Sequence, residues 1–295
     1  MEKTILITGA GGQLGQAFVR ECARALPDFE CVAAGRADLD IADAAAIRRF
    51  ARGRRFGVCV NCAAYTAVDR AESDADAARL ANALAPARLA RACGPDTLFI
   101  HISTDYVYHN RINRPLVETD PLRPQSVYAR TKLAGERTLL AARPGAMILR
   151  ASWIFAPWGH NFVNTMRRLG AEREALRVVC DQIGAPTYAP DLAASVVGLI
   201  GRIAGGDLKP ERLSGVWNYA NEGVCSWYDL ACAVMEAYAL GASVTPISTA
   251  EYPTPAARPP FSVLDKSKLK SAFGLRIPHW RDALQRCADA HRTGP

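Results

Sequence analysis

The chain has 295 residues, 49% hydrophobic and 22% charged, with a formal net charge of +7. That size and mix fit a globular protein with one large core or two, and they exclude an intrinsically disordered chain. No stretch approaches the roughly 18 apolar residues of a membrane span, and Met1 leads straight into an apolar strand pattern without a signal-peptide core, so the expected compartment is the cytoplasm.

Through the first half, runs rich in Val, Ile, Ala and Cys alternate with amphipathic Ala/Arg/Leu stretches, the signature of βαβ units on a parallel sheet. The first predicted strand, Thr4–Thr8, enters Gly9-Ala10-Gly11-Gly12-Gln13-Leu14-Gly15, a GxxGxxG loop opening a helix over 15–26. Such glycines allow a tight turn and close backbone approach to a pyrophosphate, which then meets the helix amino terminus. The expectation is a dinucleotide site that includes Gly9, Gly12, Gln13, Leu14 and Gly15.

The second strand, Glu30–Ala34, is followed by Gly35-Arg36, where an NAD-specific site would carry an acid for the ribose 2′-hydroxyl. Arg36 suits a 2′-phosphate instead, which tilts the choice to NADPH, while the nearby Asp38 and Asp40 keep NADH open. A helix is predicted over 43–52, and the arginines at its end (Arg48, Arg49, Arg52, Arg54, Arg55) read as a solvated face. They lack the aromatic interleaving of a nucleic-acid module, so no nucleic-acid partner is expected, although a positive field suits a small anionic substrate.

The third strand, 58–62, ends in Asn61-Cys62-Ala63-Ala64-Tyr65, where small side chains leave room for a cofactor at the strand's carboxyl edge. Cys59 and Cys62 form a CxxC without a second pair or a nearby histidine, so the segment reads as a buried strand and no metal is expected. The nine cysteines are scattered and odd in number, as for reduced core thiols. A helix over 74–93 leads to a fourth strand, 98–103, ending in Ser103-Thr104-Asp105-Tyr106-Val107-Tyr108. A hydroxyl there serves either to donate to a substrate oxygen or to cap the turn.

The next helix, 128–142, opens on Tyr128-Ala129-Arg130-Thr131-Lys132. Residues i and i+4 stand one above the other on a helix, so the ammonium is expected beside the phenol, lowering a pKa that is otherwise about 10 and tuning a proton donor. A fifth strand follows at 146–150. Beyond about residue 150 the texture changes to more Trp, Pro and short polar-apolar runs such as Gly215–Tyr219. The division expected is a dinucleotide-binding domain over 1–150 and a mainly substrate-binding lobe over 151–295, with a helix near 190–202 returning to the first domain.

In this order and spacing, the TGAGGQLG loop, the NCAA and STDYVY strand ends and YxxxK resemble the extended short-chain dehydrogenase/reductases. The likeness continues through AYTAVDRAE (64–72), YARTKLAGE (128–136), RASW (150–153), DQIGAPT (181–187) and YPTPAARP (252–259), covering nearly the whole chain. It implies an α/β fold, a Rossmann-type doubly wound parallel sheet with a smaller mixed α/β substrate lobe. It also implies reduction of the C4 ketone of a dTDP-linked 4-keto-6-deoxysugar by NADPH or NADH. By the same resemblance Tyr128 is the catalytic acid, Lys132 its partner and ribose ligand, and Thr104 the hydroxyl on the carbonyl oxygen. Thr104, Asp105 and Trp153 contact the nucleotide sugar, and Gly12, Gln13, Leu14, Asp40, Ile41, Ala63, Ala64 and Tyr65 the cofactor. Two departures stand out: Cys62 replaces the usual Ala, and His109-Asn110 replaces the usual Phe-x-Gly. Two alternatives share the fold: a non-catalytic dinucleotide-binding subunit similar to the regulatory subunit of methionine adenosyltransferase, and another nucleotide-sugar reductase or epimerase. A homodimer is left open.

Overall fold

A computed structural model of the chain describes residues 2–110 and 112–293. In chain order the first half runs β1 (Thr4–Thr8), α1 (Gln13–Ala25), β2 (Glu30–Ala34), α2 (Ala44–Ala51), β3 (Val58–Asn61), α3 (Ala75–Ala78), α4 (Ala85–Ala92), β4 (Leu98–Thr104), α5 (Val127–Ala142) and β5 (Met147–Ala151). The second half runs β6 (Ile154–Phe155), α6 (Phe162–Glu172), β7 (Ala175–Val179), β8 (Ile183–Gly184), β9 (Thr187–Tyr188), α7 (Ala189–Ala204), β10 (Gly215–Tyr219), β11 (Cys225–Ser226), α8 (Trp227–Ala237), β12 (Ser243–Ile247), α9 (Ser267–Phe273) and α10 (Trp280–Thr293).

Six strands form one parallel sheet in the order β10-β5-β4-β3-β1-β2. Every residue of β3, β4 and β5 is buried, which explains why they read as near-continuous apolar runs rather than alternating ones. One face packs Ile5, Ile7, Val60, Ile100 and Leu149 against Phe18 of α1 and Leu192 and Val196 of α7. The other packs Leu6, Cys59, Phe99 and Ile148 against Ile47, Leu89 and Leu139 of α2, α4 and α5.

The sheet takes two pieces from beyond residue 150: α7 covers it beside α1, and β10 pairs with β5 as an edge strand. The 215–219 segment was expected within the substrate lobe. Its alternation of Val216, Trp217, Asn218 and Tyr219 is a strand signal, but nothing local says which strand it will join.

The 74–93 stretch is helical with a π turn over Arg79–Leu84 inserted between α3 and α4. The π turn lies where α5 crosses: a Cβ on Gly135 would overlap the Asn82 carbonyl. Asn82 is thereby free to hold the loop after β3, accepting from the Tyr65 amide at 2.8 Å and donating to the Tyr65 carbonyl at 3.0 Å. The rest of the second half packs its own core of Phe155, Val163, Met166, Leu176, Leu230, Val234, Trp280 and Leu284. Small pairs β7/β12, β8/β11 and β6/β9 complete that lobe.

Candidate active site

Following β1 the chain crosses one way to β2, then back across β1 to β3, so the strand order reverses between β1 and β3. A ligand crevice belongs at the carboxyl edge of such a switch point. A cavity of about 750 Å³ opens there, and all the residues singled out in the sequence line it: Gly9, Gly12, Gln13, Leu14, Gly15, Arg36, Asp40, Ile41, Ala63, Ala64, Tyr65, Thr104, Asp105, Tyr128, Lys132 and Trp153.

The glycine loop is shaped by backbone approach. Gly9 has φ +65, and a Cβ there would stand 2.8 Å from the Ala63 backbone across the switch point. A Cβ on Gly15 would overlap the Gly9 carbonyl. No side chain caps α1 at Gly12, so its first-turn amides and the positive end of its dipole remain for an anion. Gln13 ties the loop to the second lobe: its side-chain amide donates to the His160 carbonyl at 3.0 Å and accepts from Asn161 Nδ2 at 2.8 Å. These features fit a dinucleotide pyrophosphate. Arg36 stands at the cavity rim with its side chain 89% exposed and, among the described residues, only a 3.8 Å ion pair to Asp40, so its guanidinium is available to a further anion.

The chemistry-bearing end is built by β4 and α5. Ser126 caps α5 by accepting from the Ala129 amide at 3.1 Å, and Glu72 accepts from the Val127 amide at 2.7 Å. These two contacts fix the turn that carries Tyr128. Lys132, one turn on, is buried, and its Nζ donates to the Ile102 carbonyl at 2.6 Å. Burial lowers its pKa to about 8, against the opposing pull of Glu136. Tyr128 is pushed up to about 12 by burial, with the Thr104 hydroxyl acting in the other direction. The sequence expectation of a phenol pKa lowered by Lys132 is thus corrected: desolvation of the phenolate prevails, and the ammonium is engaged with the Ile102 carbonyl instead.

Of the two roles open to Thr104, the turn cap is the one formed within the chain. Its hydroxyl accepts from the Tyr106 amide at 3.2 Å, capping a 3-10 turn over Asp105–Tyr108, and donates to Asp105 Oδ1 at 3.1 Å. Asp105 Oδ2 is buried without a partner among the described residues. Burial raises this carboxyl to about 7, although the nearby Ser262 and Thr104 hydroxyls pull it down. Below the site, Glu136 and Arg150 form a buried ion pair at 2.6 Å, and Ser103 donates to the same carboxylate at 2.5 Å.

Trp153 has φ +47 and stacks on Trp227, ring centroids 3.5 Å apart and 9° from parallel. Gly184 makes room for it, since a Cβ there would lie 2.6 Å from Trp153 Cε2. Trp227 and Tyr106 are shared with a second cavity of about 650 Å³, lined further by Phe162, Met166, Gln182, Arg173, Arg177, Tyr252 and Arg258. Sequence reasoning missed Trp227, the second cavity's arginines and the Asn82 clamp. Only Trp227 left a local trace, an aromatic directly after the capping serine Ser226 of α8. Cys59 is buried within β3 and Cys62 borders the first cavity. Among the described residues no cluster of three or more His, Cys, Asp or Glu is arranged to hold a metal ion. No described helix is long and apolar enough to cross a membrane.

Residues 3–293 match the RmlD substrate binding domain family. The dTDP-4-dehydrorhamnose reductase of Mycolicibacterium smegmatis is 40% identical over 97% of this chain and 85% of its own length. A crystal structure of a dTDP-4-dehydrorhamnose reductase from Clostridium acetobutylicum is similar with a TM-score of 0.91 and 36% identity, covering 98% of this chain and 99% of that one. The Bacillus anthracis dTDP-4-dehydrorhamnose reductase, crystallised in complex with NADP, is similar with a TM-score of 0.89 and 33% identity, covering 97% of this chain and 98% of that one. The resemblance read from the sequence motifs is borne out at the level of family and fold.

Proposed function

The chain belongs to the RmlD substrate binding domain family, and from that membership we propose the reaction and the residue roles that follow. It is an NADPH-dependent oxidoreductase, NADH also serving. It reduces the C4 ketone of dTDP-4-dehydro-6-deoxy-L-mannose to dTDP-L-rhamnose, the final step of dTDP-rhamnose biosynthesis, which feeds cell-surface polysaccharide. The observation that carries the reading is the convergence of Tyr128, Lys132 and Thr104 on the same cavity as the glycine loop.

NADPH, when bound, supplies the hydride. The amides at the start of α1 hold its pyrophosphate, and Arg36 its 2′-phosphate. Lys132 reaches the ribose side of the cleft and keeps a positive charge in a dry pocket, fixed by the Ile102 carbonyl. Tyr128, a phenol already protonated at neutral pH and pushed further that way by burial, gives its phenolic proton to the substrate's C4 oxygen as negative charge develops there. The Lys132 ammonium and the Thr104 hydroxyl, its one proton turned from Asp105 to the substrate oxygen, oppose that charge in the transition state, where such stabilisation raises the rate. A donor with a pKa above working pH is a fully populated acid, and the charge it leaves behind is met by Lys132.

The sugar lies against Thr104, Asp105 and Trp153. Since the two cavities share Tyr106 and Trp227, the nucleotide extends into the second, where Arg173, Arg177 and Arg258 suit its diphosphate. An intact acid, ammonium and hydroxyl favour catalysis over a purely binding role. The nine cysteines are all unpaired thiols, which supports a reducing compartment, the cytoplasm. The test is NADPH consumption with the 4-keto-6-deoxysugar of dTDP generated in place. Stoichiometric oxidation with release of dTDP-L-rhamnose supports the reading, and turnover of only the GDP-linked sugar overturns it.

A further inference from the structure

Arg258 and Asp69 meet across 189 positions of sequence in a two-pronged ion pair, Nη1 to Oδ1 at 2.9 Å and Nη2 to Oδ2 at 2.6 Å. Nη1 also donates to the Ala256 carbonyl at 2.8 Å, and the Ala256 amide donates to Asp69 Oδ1 at 3.1 Å. A guanidinium has five N–H donors in a fixed plane. With three engaged on the Nη1/Nη2 side, the Nε–H and the remaining Nη2–H have no partner among the described residues, and these two donors lie along one edge. That edge is the fork that matches two oxygens of a phosphate, and Arg258 lines the second cavity.

Asp69 lines neither cavity. Its carboxylate is held below the usual range chiefly by the Arg258 hydrogen bonds, so the pair stays ionised at neutral pH. Three residues on, at the end of the short turn Arg70–Glu72, Glu72 holds the Val127 amide at the start of α5. One turn therefore grips the arginine of the substrate lobe at one end and the helix of the acid at the other.

We propose that Asp69 is a positioning residue for the nucleotide sugar: it aims the Nε/Nη2 edge of Arg258 at the substrate diphosphate and sets its distance from Tyr128. This rests on the reading of the second cavity as the nucleotide end. A Lys at 258 would offer a point charge without the edge, and an Asn at 69 would keep the shape while losing the charge and one acceptor.

The test compares the full-length wild type, Asp69→Asn, Asp69→Glu and Arg258→Lys for dTDP affinity, NADPH affinity, ketosugar KM and kcat, and melting temperature. For Asp69→Asn the expected result is a roughly tenfold rise in both dTDP Kd and ketosugar KM, the size of one lost charge-assisted contact. NADPH affinity should hold, and kcat should fall far less than KM rises. Arg258→Lys should match it, and Asp69→Glu should recover most of the loss. An unchanged dTDP Kd in Asp69→Asn overturns the positioning role while leaving the proposed reaction standing. So does an equal loss of NADPH and dTDP binding with a lowered melting temperature, the mark of a purely structural tie. A wild-type chain that binds no dTDP removes both together.

Discussion

Lys132 stands one helical turn beyond Tyr128 on α5, yet its ammonium donates across to the Ile102 carbonyl of β4 at 2.6 Å. The charge is thereby bolted to the sheet rather than hung on the phenol. The phenol and the cation are two separately held parts, one fixed by the caps of α5 and the other by a backbone carbonyl.

Tyr128→Phe removes the proposed proton donor and little else, because the ring keeps its edge-on packing against Tyr106, centroids 5.8 Å apart. General-acid loss costs about 10² to 10⁴ in rate, so kcat should fall by at least about a hundredfold. NADPH affinity, read by cofactor fluorescence, should stay within about twofold.

Burial holds Lys132 at about 8, so it is charged below that pH and neutral above. The ketone reduction rate should decline as pH rises through about 8. In Lys132→Arg that limb should vanish, at whatever lower rate the bulkier group allows, because a guanidinium stays charged. The sign for stability is opposite. The unfolded lysine binds its proton up to about 10.4, so this group's contribution makes the fold more stable as pH climbs from about 8 towards 10.4.

Asp105 is buried and raised to about 7. Its folded form holds a proton that the unfolded chain has lost above about 4, so its contribution to stability is full below pH about 4 and gone once pH passes about 7. Asp105→Asn imitates the protonated acid. Its melting temperature should match wild type at pH 4 and exceed it at pH 8, by a difference corresponding to roughly 4 kcal/mol, about three pK units at about 1.4 kcal/mol each. A constant offset at both pH values would contradict the assignment.

Arg36 is exposed at the rim with no strong partner among the described residues. Arg36→Ala should raise the KM for NADPH about tenfold, the value of one charged phosphate contact, and leave the KM for NADH nearly unchanged. Parallel changes with the two cofactors would remove the arginine from 2′-phosphate recognition.

Gly184→Ala places a methyl 2.6 Å from the Trp153 ring. The stacked pair Trp153/Trp227 must shift, at a cost of about 1–3 kcal/mol for overpacking. Ketosugar KM should rise with NADPH affinity intact, since Trp153 and Trp227 bound the side of the cleft proposed for the substrate. Steady-state kinetics against NADPH titration separates the two.

The parts of this protein legible in the sequence are those whose signal is local. The glycine loop, the four-residue step from Tyr128 to Lys132 and the buried runs of β1, β3 and β4 each fit within one element, where spacing and chemistry act together. What escaped depends on distant partners. Nothing local to Asp69 points to Arg258, which arrives from the other lobe, and nothing local to β10 says that it will lie beside β5. The direction of the Tyr128 shift escaped for a different reason: helical spacing puts Lys132 on the same face, but burial, set by the whole fold, is the largest influence on the phenol.

The central claim is that Tyr128 and Lys132 serve the reduction of a dTDP-linked ketosugar. The most direct measurement follows NADPH oxidation by purified wild type and Tyr128→Phe with dTDP-4-keto-6-deoxysugar made in place, and identifies the product. The expected result is one NADPH consumed per dTDP-L-rhamnose formed by the wild type and almost none by the variant. NADPH-independent conversion, or a variant that keeps substantial turnover, would contradict it.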